Sequence, residues 1–251
     1  RYTDRPTAYI DCDPGQSSIG PPACLGMRRI SRPESAEGLP ILSFVGSLSP
    51  KGHLLQNLSG AKKLTEKALE LGCKAVILDS SGFVIGNAAR EFQFTVIDLI
   101  RPVFLVAFQR EGELERLLRN FAGSRDMRIR RMPVPPAVRE RSPLKRQAYR
   151  TERFRHYFRD ADIRNVGISG KGLHGSIPDF RRPESYENLL VALCDPGNFV
   201  SALAVIRTYS SKGRELEIFA PPFDRHEVST VQFGSLYLDE DLMTIPKPRY
   251  R

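Results

Sequence analysis

Ala8-Tyr-Ile-Asp-Cys-Asp-Pro-Gly-Gln16 is the stretch on which the reading turns. A short apolar run ends in carboxylates at alternate positions, Asp11 and Asp13, and then breaks at Pro14-Gly15, a pair suited to a tight turn. Working outward, further apolar runs follow at Ile41 to Val45, Ala75 to Leu78, Val103 to Phe108 and Met127 to Val134. Between them Ala61, Leu64, Ala68 and Leu71 recur at helical spacing and stop at Gly72, and Leu114, Leu117, Leu118 and Phe121 line one face before Gly123. Strand and helix alternating in this way predict an α/β fold, a parallel sheet flanked by helices with its ligand groups just after the strands. Polar clusters fall there: Asp11, Asp13 and Gln16, then Gly46 to His53, then Asp79 to Gly82. Turn chemistry alone would also gather such residues at strand ends.

Beyond Ala161 the texture changes. Gly167 to Pro178 is rich in glycine and polar residues, and Leu189 to Leu193, Phe199 to Thr208, Glu215 to Ala220 and Ser229 to Leu238 read as strands. A domain over 1–160 and a small, mostly β C-terminal unit over 161–251 are expected, with a disordered tail from Ile245.

The 251 residues are 41% hydrophobic and 27% charged, the balance of a folded globular chain. No apolar run approaches the roughly 18 residues of a membrane span, and Arg1 to Pro6 carry no signal-peptide core, so a soluble, cytoplasmic protein is expected. Cys12, Cys24, Cys73 and Cys194 lack the spacing of a zinc or disulfide framework and read as buried thiols. The net charge is +9, and Arg125 to Arg159 hold 12 basic and 3 acidic residues, 12 − 3 = 9, so the whole excess sits in that segment. Arginine so concentrated suits a polyphosphate or a nucleic-acid backbone, the alternative being a solvated helix face. Within it, Ser142-Pro143 reads as an N-cap and first helical position, after which Arg146, Arg150 and Arg153 share one face.

The run Ala8 to Gln16 with Gly20-Pro-Pro22 resembles the RNA 5′-hydroxyl polynucleotide kinases, P-loop enzymes linked to pre-mRNA cleavage, tRNA splicing and ribosomal RNA processing. Phe44-Val-Gly-Ser-Leu-Ser-Pro-Lys-Gly-His53 resembles the family's nucleotide-clasping loop, and Ile77-Leu-Asp-Ser-Ser-Gly82 its second acidic strand end. Gly86 to Arg90 with Ile97 to Pro102 is similar to the helix and strand entry that follow, and Met132 to Arg139 leads into an arginine-bearing lid at 139–158. The resemblance implies ATP and Mg²⁺ as cofactors and the 5′-hydroxyl ends of RNA or DNA as substrate, with an RNA-processing complex as partner. It implies Asp13 as general base, Arg141, Arg146 and Arg150 as lid residues, and Asp11 and Asp79 at the metal. Gln16, Ser49 and Lys51 would contact nucleotide or substrate, and His53 is either a substrate contact or a packing residue.

One family element is missing. The phosphate-cradling G-x-x-x-x-G-K-[ST] loop occurs nowhere in the 251 residues, and Gly167-Ile-Ser-Gly-Lys-Gly172 has neither its spacing nor its hydroxyl. Because the chain opens at Arg1 directly into a strand, it is read as lacking the upstream strand, loop and helix, with little turnover expected from these residues alone. Two other readings stay open: an inactive ATP-binding scaffold, and a P-loop ATPase regulating a partner.

Overall fold

The computed structural model describes residues 5–32, 35–139 and 141–248. Its first sheet is built on β1 (Thr7–Asp11), which pairs with β4 (Ala75–Asp79) in parallel and with β2 (Cys24–Arg32) antiparallel; β3 (Ser35–Phe44) closes the order β3-β2-β1-β4. In the parallel pair, Asp11 stands opposite Asp79, so two strands deliver a carboxylate at the same level of the sheet. Helix α1 (Leu54–Glu70) lays Ala61, Leu64 and Ala68 against Ala8, Ile10, Leu25 and Met27, the helical stripe expected from the sequence. It ends where Gly72 takes a φ of 80°, a conformation that glycine adopts without cost.

The expected parallel arrangement holds for Ala8 to Ile10 with Ala75 to Leu78, and for β5 (Phe104–Gln109) with β6 (Arg128–Pro133). The run Ile41 to Val45 departs from it, because it returns as the second arm of an antiparallel hairpin with β2. Sequence reading missed β2, since Arg28, Arg29 and Arg32 hide an apolar start at Cys24, Leu25 and Met27 that is fully buried. Helix α2 (Asn87–Ile100) packs beside α1, and the expected helix around Leu114 is one turn, α3 (Glu115–Leu118), continued by a 3₁₀ turn to Phe121. Among the described residues, the outer edges of β4 and β5 have no strand partner, and Ile77, Phe104, Val106 and Phe108 are about half exposed along them.

Helix α4 (Pro143–Tyr157) starts as its sequence indicates, with the Ser142 hydroxyl accepting from the Lys145 amide and Pro143 in the first turn. The C-terminal unit is a seven-stranded, mostly antiparallel sheet. It runs β13 (Thr244–Ile245), β12 (Thr230–Leu238), β9 (Leu189–Cys194), β10 (Val200–Ser210), β11 (Glu215–Ala220), β7 (Asp162–Gly167), with β8 (Gly172–Gly175) alongside β12 in parallel. The polar stretch 167–178 therefore contributes β8, and Ile245, expected to begin a disordered tail, pairs with β12 together with Thr244; residues 249–251 lie outside the described residues.

The units share a core. Phe154 of α4 and Phe158, which caps its end, are buried among Cys24, Leu42 and Phe44 on one side and Leu190, Ala192, Leu203 and Val205 on the other. The Leu203 amide donates to the Tyr157 hydroxyl at 2.9 Å, so the C-terminal half of α4 is fixed to the second sheet. Gly46 and Gly234 meet so closely that a Cβ on Gly46 would lie 2.6 Å from the Gly234 Cα.

Candidate active site

The site is organised by the turn that follows β1. Asp11 is buried and both its oxygens are committed: Oδ1 accepts from the Asp13 amide at 2.9 Å, and Oδ2 accepts from the Ser18 amide and hydroxyl at 2.5 and 2.6 Å. Its carboxylate thereby pins both ends of the turn 13–18, with Asp13 at the first of them. Asp13 in turn accepts at Oδ1 from the amides of Gly15 and Gln16, 2.8 and 3.0 Å, which leaves Oδ2 without a protein donor among the described residues. Burial pushes the Asp13 carboxyl above its ordinary value of 3.8, and neighbouring Asp11 pushes the same way. The two amides and the Arg150 guanidinium oppose them.

Helix α4 lies across this turn. Arg150 Nε donates to the Gly15 carbonyl at 2.8 Å, Tyr149 Oη to the Ser17 carbonyl at 2.8 Å, and Arg153 Nη2 to the carbonyls of Gly20 at 2.6 Å and Ser18 at 3.3 Å. Arg141 reaches Gln16 Oε1 at 3.2 Å from over the Tyr149 ring, and Arg146 folds back to the Arg141 carbonyl at 2.8 Å. Burial and the neighbouring Arg146 lower the Arg150 pKa, while Asp13 raises it, so the guanidinium stays cationic beside its carboxylate.

Gly15 is where these parts converge. A Cβ there would lie 2.3 Å from the Leu48 carbonyl oxygen, 3.3 Å from Arg150 Nη2 and 3.3 Å from Asp13 Oδ1. Glycine is required because backbone, lid arginine and carboxylate all crowd the same point. Ser49 and Lys51 follow Leu48 in that neighbouring loop. The Ser49 hydroxyl accepts from the Lys51 amide at 3.2 Å, and the Lys51 side chain is exposed.

Asp79 is exposed and its Oδ2 accepts from Tyr9 Oη at 2.8 Å; burial and then this bond push the Tyr9 hydroxyl up to about 12. The Asp79 carbonyl takes the Cys12 amide at 2.9 Å, which ties the two strand ends together. Among the described residues no three His, Cys, Asp or Glu side chains gather as a metal cage. The donor set suits an ion such as Mg²⁺, which takes one or two carboxylates and completes its shell with water and phosphate oxygens. Asp79 has an oxygen without a donor among the described residues, whereas both oxygens of Asp11 already accept hydrogen bonds.

The sequence-derived residues thus fall into one group around Gly15, comprising Asp11, Asp13, Gln16, Arg141, Arg146 and Arg150, with Asp79 one strand away and Ser49 and Lys51 on the facing loop. Tyr149 was overlooked and Arg153 was assigned no contact. Their signal was present, because 146, 149, 150 and 153 follow i, i+3, i+4, i+7 spacing and share a helix face.

Parallel strands ending in acid, with a cationic helix closed over the turn beyond them, fit the class of α/β folds that hold their ligands at the carboxyl ends of the strands. The family model described as mRNA cleavage and polyadenylation factor CLP1 P-loop matches residues 1–160. The chain belongs to that family. Curated relatives named polyribonucleotide 5′-hydroxyl-kinase match it along most of its length. That of Methanocaldococcus jannaschii is 25% identical over 93% of this chain and 79% of the relative, and that of Pyrococcus abyssi is 24% identical over 93% and 80%. The solved structure of a Clp1p–Pcf11p complex superposes with a TM-score of 0.70 at 14% identity, covering 94% of this chain and 68% of that chain, a likeness of fold. None of the described helices is long and apolar enough to cross a membrane.

Proposed function

We propose that the protein is an ATP-dependent polynucleotide 5′-hydroxyl kinase acting in RNA processing, with Asp13 as general base. The observation that carries this reading is the meeting of the Asp13 carboxylate and the Arg150 guanidinium at Gly15. Phosphoryl transfer needs little covalent help from a protein, and its barrier falls when the nucleophile is positioned and the charge on the transferred group is neutralised. Asp13, held by two amides with one oxygen unengaged, suits the role of accepting the proton of an attacking hydroxyl, a contribution of about 10² to 10⁴ in rate. Its upward-shifted pKa brings it closer to the operating pH, where a general base is most effective.

The lid guanidiniums now rest on carbonyl oxygens. Phosphate oxygens are stronger acceptors for an arginine fork, so bound polyphosphate would draw Arg141, Arg146 and Arg150 from Gln16, Gly15 and one another. Tyr149, Arg153 and Asp11 act by positioning, since they hold the turn that bears Asp13. Mg²⁺, where bound at Asp79, supplies charge neutralisation at the phosphates. Gln16, Ser49 and Lys51 lie beside that path. The phosphate-cradling G-x-x-x-x-G-K-[ST] loop is not among these residues, so they are expected by themselves to turn over little.

The test incubates the full-length protein with γ-labelled ATP, Mg²⁺ and 5′-hydroxyl RNA and DNA oligonucleotides. Label on the oligonucleotide 5′ end is the expected result. ATP binding with no label transferred to either polymer would overturn the kinase reading in favour of an ATP-binding scaffold.

A further inference from the structure

One hydroxyl of the C-terminal sheet ties both ends of loop 46–53. Ser235 Oγ donates to the Gly46 carbonyl at 3.1 Å and, with its proton so placed, accepts from His53 Nε2 at 3.0 Å. The Ser235 amide donates to the same Gly46 carbonyl at 2.8 Å. Ser235 reaches the loop where β12 slips its register against β9, between Phe233 and Tyr237. Irregularities of this kind re-aim side chains and gather beside functional sites. Gly234 makes the approach possible, since a Cβ there would lie 3.0 Å from both the Cα and the carbonyl oxygen of Gly46.

Two connections carry this clasp to the Asp13 turn. The first is a run of buried backbone bonds. The Pro14 carbonyl accepts from the Ala23 amide at 2.8 Å, and the Ala23 carbonyl accepts from the amides of Val45 and Gly46 at 2.9 and 3.1 Å. Ala23 holds a φ of 69°, a left-handed conformation that is costly for a residue with a Cβ, so its surroundings must impose it. The second connection is steric, because Leu48 lies between the two tied ends and its carbonyl abuts Gly15. Pro14 and Gly15 are the residues that follow Asp13.

We propose that Ser235 is a positioning residue for phosphoryl transfer. Its hydroxyl sets loop 46–53, and the loop, through Ala23 and Leu48, sets the turn that bears Asp13. The C-terminal sheet thereby acts on the chemistry without touching substrate. The proposal rests on the reading of the Asp13 turn as the transfer site. Loss of the hydroxyl leaves the Ser235 amide on Gly46 and frees His53, so the loop shifts slightly instead of unfolding. A misplacement of about 1 Å lowers turnover about 10²-fold, and the smaller shift here about tenfold.

The test compares Ser235→Ala, Ser235→Thr, His53→Ala and Val231→Ala in the full-length protein. Val231 is fully buried on the same strand, in a core cluster that includes no residue of loop 46–53, so its loss weakens the sheet alone. Hydrogen exchange is followed in loop 46–53 and at Asp13, Gly15, Gln16 and Ser18, whose amides donate to the Asp11 and Asp13 carboxylates. Ser235→Ala should speed exchange at both places about tenfold. It should also lower kcat for transfer from ATP to 5′-hydroxyl RNA about tenfold, with KM for ATP changed less than about twofold. Ser235→Thr keeps the hydroxyl and should restore both readouts, and His53→Ala, which frees only the far end of the loop, should move exchange in the same direction. Val231→Ala should lower the melting temperature and leave both readouts at wild type. Exchange at 13–18 unmoved by Ser235→Ala and His53→Ala, an equal rise in Val231→Ala, or a wild-type kcat in Ser235→Ala would overturn the proposal. The exchange pattern in a full-length protein that transfers no phosphate would remove the kinase reading, while the setting of the turn by Ser235 would stand.

Discussion

Replacing Gly15 with alanine drives a methyl group toward the Leu48 carbonyl oxygen, 2.3 Å from where the carbon would sit. Carbon and carbonyl oxygen normally approach to about 3.3 Å, so the two loops must part by roughly 1 Å. The obstacle is backbone and cannot rotate away. Gly15 has no left-handed φ, so the strain is steric rather than conformational. Overpacking of this kind costs about 1 to 3 kcal/mol, and at roughly 2 to 4 °C per kcal/mol for a chain of this size the melting temperature should fall measurably. The larger effect is on chemistry. Asp13 Oδ1 and Arg150 Nη2 both border the new methyl group at 3.3 Å, and a displacement of about 1 Å in an aligned site lowers turnover about 10²-fold. The assay is single-turnover transfer from ATP to a 5′-hydroxyl RNA by full-length Gly15→Ala, alongside thermal melting and a Gly123→Ala control, where nothing lies within 4 Å of the added carbon. Wild-type transfer by Gly15→Ala would refute the claim that Asp13 and Arg150 act together at this point.

Asp13→Asn keeps an acceptor for the Gly15 and Gln16 amides but loses the base, so transfer should drop at least 10²-fold with ATP affinity nearly intact. Because burial raises the Asp13 pKa, its contribution to stability is fully present below the unfolded value and lost as pH rises through the folded one. The variant should therefore melt at or above wild type near neutrality, with the gap closing as pH falls toward 3.8 in a melting series. Arg153→Ala removes the donor to Gly20 and Ser18 and should lower kcat more than it raises KM for ATP, with partial rescue by lysine; an unchanged kcat would mark the contact as idle. Phe154→Ala empties a fully buried site between the two sheets and should cost about 3 to 5 kcal/mol in denaturant unfolding, since α4 is anchored there.

Much of this protein was decided by local pattern. The alternation at Ala8 to Asp11 and Ala75 to Asp79, the helical stripe of α1 and the Ser142-Pro143 start of α4 all follow from residue spacing and from the conformations that proline and glycine allow. What spacing could not supply is which side chains meet. Asp11 looks like Asp13 in the sequence, yet the fold closes Ser18 over the one and leaves an oxygen of the other unengaged. Strand β2 went unseen because its arginines mask the buried face, although its hairpin partner β3 follows it directly in the chain. The lid arginines were legible as a helix face, but the acceptors of Arg150 and Arg153 are carbonyls more than a hundred residues upstream, and no local rule names them. The sequence by itself determined most of the elements, the chemistry they carry and the charge gathered near α4, though not strands β2 and β8. Only tertiary packing decided that the second sheet anchors α4 and that the Leu48 carbonyl closes on Gly15 beside Asp13, because burial and hydrogen bonding between distant segments depend on the whole chain having closed.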